Sequence, residues 1–92
     1  MYEIKRAKRF KKSYKRISQL KGFKRDVFVS VVEKLASGEV LPGKYKDHKL
    51  SGDMQGLREC HLAPDILLIY EIDDGMLTLT LVNIGNYSQL FN

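Results

Sequence analysis

One cysteine, Cys60, among 92 residues excludes an internal disulfide and any cysteine-based zinc module, and suits a reducing cytoplasm. Histidine is almost as scarce: His48 and His61 stand alone, without the HExxH-type spacing of a metal-binding helix, so no metal or other cofactor is expected. No apolar run approaches the roughly 18 residues of a membrane span. The basic start MYEIKRAKRFKK lacks the apolar stretch that follows in a secretory signal. A cytoplasmic location without membrane contact is the expectation. Two prolines, no repeat and no low-complexity segment leave no sign of a linker, so residues 1–92 read as one domain with one core. A content of 43% hydrophobic and 29% charged residues is that of a folded chain.

Acidic residues are scarce in one region only. Residues 1–25 hold eleven Lys and Arg against one acid, while residues 26–92 hold five against ten. A basic block on a mildly acidic body suits a polyanion or an acidic protein as partner. A solubilising helix face has the same composition.

Periodicity orders the chain. Residues 2–6 alternate and predict a short edge strand. Phe10, Tyr14, Ile17 and Leu20 then form one helical stripe among lysines and arginines, with Gly22 suited to the stop. Val27, Phe28, Val31, Val32 and Leu35 mark a second helix over 24–37, ended by Gly38. A break of two or three residues between them predicts an antiparallel helical hairpin. Residues 43–56 lose periodicity and read as a long loop. Alternation over 57–62 sends Glu59 and His61 to one face of a strand, and Arg58, Cys60 and Leu62 to the other. Ala63-Pro64-Asp65 makes a turn. Residues 66–72 form a central strand, Asp73-Asp74-Gly75 a hairpin and residues 76–82 a last strand. The tail over 85–92 is a turn with about one helical turn. The fold is therefore α+β: β-α-α and then an antiparallel meander, with the helical hairpin on one face and the other partly open. Glu59 and His61 fall on that open face or its rim.

Both histidines lie within residues 41–66, beside Lys44, Lys46, Asp47, Lys49, Arg58, Glu59 and Asp65. Imidazoles, ammonium groups and carboxylates in so short a span suit proton transfer near a phosphate. A solvated loop followed by an ordinary strand would read the same way.

The strings Tyr45-Lys46-Asp47-His48-Lys49-Leu50, Gly56-Leu57-Arg58-Glu59-Cys60-His61, Pro64-Asp65-Ile66-Leu67-Leu68-Ile69-Tyr70 and the terminal Leu90-Phe91 resemble toxins of the RelE/ParE superfamily, close to the YafQ branch. The resemblance runs the whole length and implies a RelE-like fold. It implies a toxin of a type II toxin–antitoxin pair, an endoribonuclease that cuts messenger RNA in the ribosomal A site without a metal. The implied partners are a DinJ/RelB-like antitoxin, the ribosome and messenger RNA, and operator DNA reached through the antitoxin complex. It assigns catalytic roles to His48, His61 and Asp65, puts Glu59 where the branch has an acid, and matches Phe91 to a residue implicated in activity. Two positions depart from the pattern: Asn83 stands for an arginine and Tyr87 for a histidine, where a phenol can still transfer a proton. Ile66 also stands where a tryptophan can follow the Pro-Asp pair.

For such a reaction Lys44, Lys46 and Lys49 would supply charge to the substrate phosphate, with Phe91 and Arg58 assisting; alternation turns Arg58 away from His61. Lys8, Lys11, Lys12, Lys15 and Arg16 form the basic surface expected to meet the ribosome. The alternative is a toxin acting only by binding, on gyrase or as a co-repressor with its antitoxin, which the departures at 83 and 87 would suit.

Overall fold

The run at 66–72, apolar except for Glu71, becomes the middle strand of the molecule, and its first five side chains, Ile66 to Tyr70, are buried on both faces. The structure, a computed structural model, describes residues 1–91. Along the chain come β1 (Glu3–Arg6), α1 (Lys8–Ile17), α2 (Arg25–Ala36), β2 (His48–Lys49), β3 (Arg58–Ala63), β4 (Ile66–Asp73), β5 (Thr78–Gly85) and α3 (Tyr87–Phe91), with 3-10 turns at Gly43–Tyr45 and Gly52–Met54. One five-stranded sheet has the order β1-β5-β4-β3-β2, with β4 central. β2 to β5 run antiparallel to their neighbours, and β1 adds parallel to β5 at the edge. The architecture is α+β, with the two long helices on one face as the sequence predicts.

Alternation divides the strands between two apolar clusters. Cys60, Leu68, Tyr70, Leu79 and Leu81 face the helices and join Phe10, Ile17, Val31, Val32 and Leu35 in the main core. The helices meet through aromatic rings: Phe28 lies 6.0 Å from Phe10 and 5.0 Å from Tyr14 between centroids. The C-terminal stop of α2 at Gly38 holds. This residue has φ of 79°, and the amides of Gly38 and Glu39 return to the carbonyls of Leu35 and Lys34, a Schellman closure that glycine makes without a Cβ clash.

Four expectations need correction. α1 ends at Ile17, not near Gly22, because Ser18 folds its hydroxyl back onto the Lys15 carbonyl and the next amides tighten to i−3 bonds. Leu20 is consequently exposed, and the connection to α2 runs over 18–24 rather than two or three residues. The stretch 43–56 is not a bare loop: it contains the two 3-10 turns and β2, which pairs with β3. The second sheet face stays open only at the histidines, and its middle is covered. Leu67 and Ile69 point there from β4 and are covered by Leu90 of α3 with Leu50, Met54, Leu57, Val82 and Phe91. The last strand starts at Thr78 and reaches Gly85, because residues 74–77 are all spent on the turn. Position 92 of the predicted tail lies outside the described residues.

That turn carries strain. Leu77 is exposed and has φ of 55°, a left-handed conformation that costs a non-glycine residue about 1–2 kcal/mol. Glycine removes that cost but adds about 0.4–1 kcal/mol of unfolded-state entropy. Leu77→Gly is therefore expected to raise stability slightly, by up to about 1 kcal/mol, read as a higher urea midpoint. A clear drop in midpoint would show that side-chain packing of Leu77 outweighs the strain.

Candidate active site

The two histidines come together through strand pairing. β2 is only two residues long, and its register sets His48 opposite Glu59 and Lys49 opposite Arg58. Alternation in β3 puts Glu59 and His61 on the same face, as the sequence predicts, with His61 also bordering a cleft that Val27 of α2 lines. The outcome is one carboxylate between two imidazoles. Glu59 Oε1 lies 3.4 Å from His48 Nε2 and 3.6 Å from His61 Nε2. Glu59 is only 5% exposed, whereas the His48 side chain is 50% exposed. A buried carboxylate is costly unless cations or donors face it, and here the imidazoles do so.

The orientation of His48 is set from behind. Lys46 adopts a left-handed conformation, φ 49°, and its carbonyl lies 2.7 Å from His48 Nδ1. A carbonyl only accepts, so Nδ1 carries the proton and Nε2 is the atom left to exchange one.

Residue Asp47 points to the other face of the sheet. The Arg58 guanidinium donates to both its oxygens, from Nε and Nη2 at 3.3 Å each, and the Tyr70 hydroxyl donates to Oδ1 at 2.5 Å. Burial first, and then the Asp47 carboxylate, push the Tyr70 phenol above its ordinary range, so it remains a donor at physiological pH. Sequence reading missed this cluster, since nothing local ties residue 47 to residue 70. Arg58 is expected beside substrate from the sequence; the structure commits it to Asp47 and Tyr70 instead.

The other expected residues are placed less tightly. Asp65 is exposed in the β3–β4 turn, and no hydrogen bond or ion pair joins it to either histidine among the described residues. Tyr87 is 70% exposed on α3, its ring centroid 4.9 Å from that of Phe91. A reciprocal cap starts this short helix: Asn86 N–H donates to Gln89 Oε1 and Gln89 N–H to Asn86 Oδ1. Gly85 precedes it, where a Cβ would sit 2.7 Å from Gln89 Oε1 and displace that side chain from its cap. Asn83 lies opposite Ile69, itself opposite Glu59, and its side-chain oxygen accepts the Ile84 amide at 2.9 Å.

A cleft of about 460 Å³ opens beside His61, lined also by Lys44, Tyr45, Lys46, Leu62 and Val27. Lys44 Nζ lies 5.2 Å from the Tyr45 ring centre. Lys49, expected beside the substrate, is exposed but pairs in register with Arg58, and alternation turns it to the face opposite His48. Lys44 and Lys46 can neutralise a phosphate near His61. Cys60 is fully buried on the opposite face, and burial, followed by Asp47 and Glu59, pushes its thiol up to about 12. It is no nucleophile. On α1, Lys8, Lys11, Lys12, Lys15 and Arg16 are exposed, and none forms an ion pair among the described residues.

Residues 2–92 match the family model for the bacterial toxin of type II toxin–antitoxin system, YafQ. The mRNA interferase toxin YafQ of Escherichia coli K12 is 41% identical over 51 residues, which are 55% of this chain and 53% of that protein. The match thus spans about half the length of this curated relative. Among solved structures, a metal-bound toxin from Helicobacter pylori is 43% identical with a TM-score of 0.90, over 99% of this chain and 100% of that one. The Escherichia coli DinJ–YafQ complex contains a chain 28% identical with a TM-score of 0.86, over the whole of both chains. On the strength of the match over residues 2–92, the chain belongs to the YafQ family of bacterial toxins of type II toxin–antitoxin systems.

Proposed function

We propose that this toxin is a ribosome-dependent, metal-independent endoribonuclease that cuts messenger RNA in the A site and so inhibits translation. The observation that carries the reading is the pair of imidazoles flanking one buried carboxylate oxygen at 3.4 and 3.6 Å. RNA brings its own nucleophile. The ribose 2′-oxygen attacks the adjacent phosphorus, a base takes its proton, the P–O5′ bond breaks, and an acid protonates the departing 5′-oxygen. The products are a 2′,3′-cyclic phosphate and a 5′-hydroxyl end. The two rings stand on either side of one carboxylate, in place to serve as the base and the acid the reaction needs, each worth about 10²–10⁴-fold. Lys44 and Lys46, which line the cleft beside His61, supply positive charge to the phosphorane. Asp65, Phe91 and the Tyr87 hydroxyl complete the site when the messenger is bound.

The curated relative is named an mRNA interferase, and another YafQ chain forms a complex with DinJ. By the same likeness a DinJ/RelB-like antitoxin is the partner of this chain, with operator DNA reached through that complex, in the cytoplasm. None of the helices among the described residues is long and apolar enough to cross a membrane.

The test is to induce the toxin and map messenger ends on translating ribosomes. New 5′-hydroxyl ends within codons, formed only when ribosomes are present, are expected. Growth arrest with intact messenger would instead identify a toxin acting by binding. The exposed cations of α1 are the proposed ribosome-binding surface. Replacing Lys11, Lys12 and Lys15 with glutamate is expected to weaken ribosome binding and flatten its salt dependence by about one logarithmic unit for each phosphate no longer neutralised. An unchanged slope would mean that these lysines only solvate the helix.

A further inference from the structure

We propose that Asp47, held by Arg58 and Tyr70, is a positioning residue for His48. The inference rests on the nuclease reading above and adds to it a device on the far side of the sheet. β2 has two residues at the edge of the sheet, a ladder too short to resist fraying by itself. The residue before Asp47 is Lys46, in the left-handed region, where a non-glycine side chain persists only if its surroundings hold it. Yet His48 needs both features intact. The ladder sets its Nε2 against Glu59, and the Lys46 carbonyl receives its Nδ1 proton.

Asp47 lies between these two residues, and successive side chains of an extended chain point to opposite faces. Its carboxylate is bound there by three donors: the two arginine nitrogens and the tyrosine hydroxyl. Both partners are anchored. Tyr70 is fully buried in the central strand, and Arg58 also donates to the Tyr70 hydroxyl at 3.3 Å. The fork grips Asp47 in two places, which fixes direction as well as distance. The segment 46–48 is therefore pinned to the middle of the sheet through Asp47, and the His48 ring is aimed from the opposite face. Asp47 touches neither histidine ring and acts only through the backbone.

Tyr70→Phe and Asp47→Asn test this, with Arg58→Lys as the variant that keeps the charge and loses the fork. Cleavage on ribosomes is measured as kcat and KM, and the protonation site of each imidazole is read by nitrogen NMR of the free toxin. A shift of catalytic groups by about 1 Å costs about 10²-fold, so kcat is expected to fall about 10–100-fold with KM nearly unchanged. The Nδ1-protonated form of His48 should lose population in the same variants while that of His61 stays put. Arg58→Lys should lie between the parent and Asp47→Asn. Folded variants that keep both the parent kcat and the parent His48 signal would overturn the inference. So would a change confined to KM, which would make Asp47 part of substrate binding. Should Asp47→Asn fail to fold, Tyr70→Phe, which keeps the ring in the core, decides. If the parent cuts no messenger at all, the nuclease reading fails, and the NMR signal of His48 alone still decides whether Asp47 positions it.

Discussion

His61→Ala is expected to reduce messenger cleavage about 10²–10⁴-fold, the range for losing one positioned proton carrier. His61 sits on β3, with its Nε2 3.6 Å from Glu59 Oε1, so the substitution removes one of the two rings that balance the buried carboxylate. His48 would then face Glu59 alone, and the cluster would hold one imidazole where the reaction needs an acid and a base. Damage to the fold should be small. The ring is partly exposed, and the backbone pairing of His61 with Leu67 does not depend on the side chain. Antitoxin binding should survive if it uses the helical layer, which lies on the other face of the sheet. The measurement is cleavage by purified protein on programmed ribosomes, with growth arrest in cells alongside. A His61→Ala protein that cuts as fast as the parent would remove His61 from the chemistry.

Asn83→Arg is expected to act in the opposite direction. The row Asn83, Ile69, Glu59, His48 crosses four adjacent strands, so position 83 shares a face with the carboxylate and the first histidine. Strands are about 4.8 Å apart, and an arginine placed there can extend around the side chains that cover Ile69 toward the phosphate site. Its fork supplies two donors to a phosphorane, where lysines supply point charges. Donors of this kind are worth about 2.7–4 kcal/mol in comparable oxyanion sites, about 10²–10³-fold in rate. The substitution also removes the acceptor of the Ile84 amide, at a cost to stability of about 1 kcal/mol. A faster but slightly less stable toxin is therefore expected. Adding Tyr87→His should move the pH dependence toward neutral, because phenols titrate near 10 and imidazoles near 6.5 in model peptides. If neither change alters cleavage, the α3 end of the chain takes no part in the site.

Much of this site follows from local rules. A strand alternates with period two, so residues 57–62 alone determine that Glu59 and His61 share a face and that Arg58 and Cys60 do not. The apolar run at 66–70 determines a strand buried on both sides. The uneven charge of residues 1–25 determines a cationic first helix, because only one of its faces carries apolar residues. Gly38 determines the end of α2 through its freedom at positive φ.

The sheet itself decided the rest. No periodicity marks a two-residue strand, so only the register of β2 on β3 placed His48 across from Glu59 and made one cluster of two distant histidines. The second apolar face was closed by Leu90, a residue whose five-residue helix is too short to form without the sheet beneath it. Asp47 met Tyr70 across 23 positions, and Arg58 turned inward to join them. Such meetings depend on which strands become neighbours, and that depends on where the whole chain can bury its apolar side chains. Residue types near positions 48 and 61 determined the chemistry available to this protein. Tertiary pairing decided which of those groups face one another.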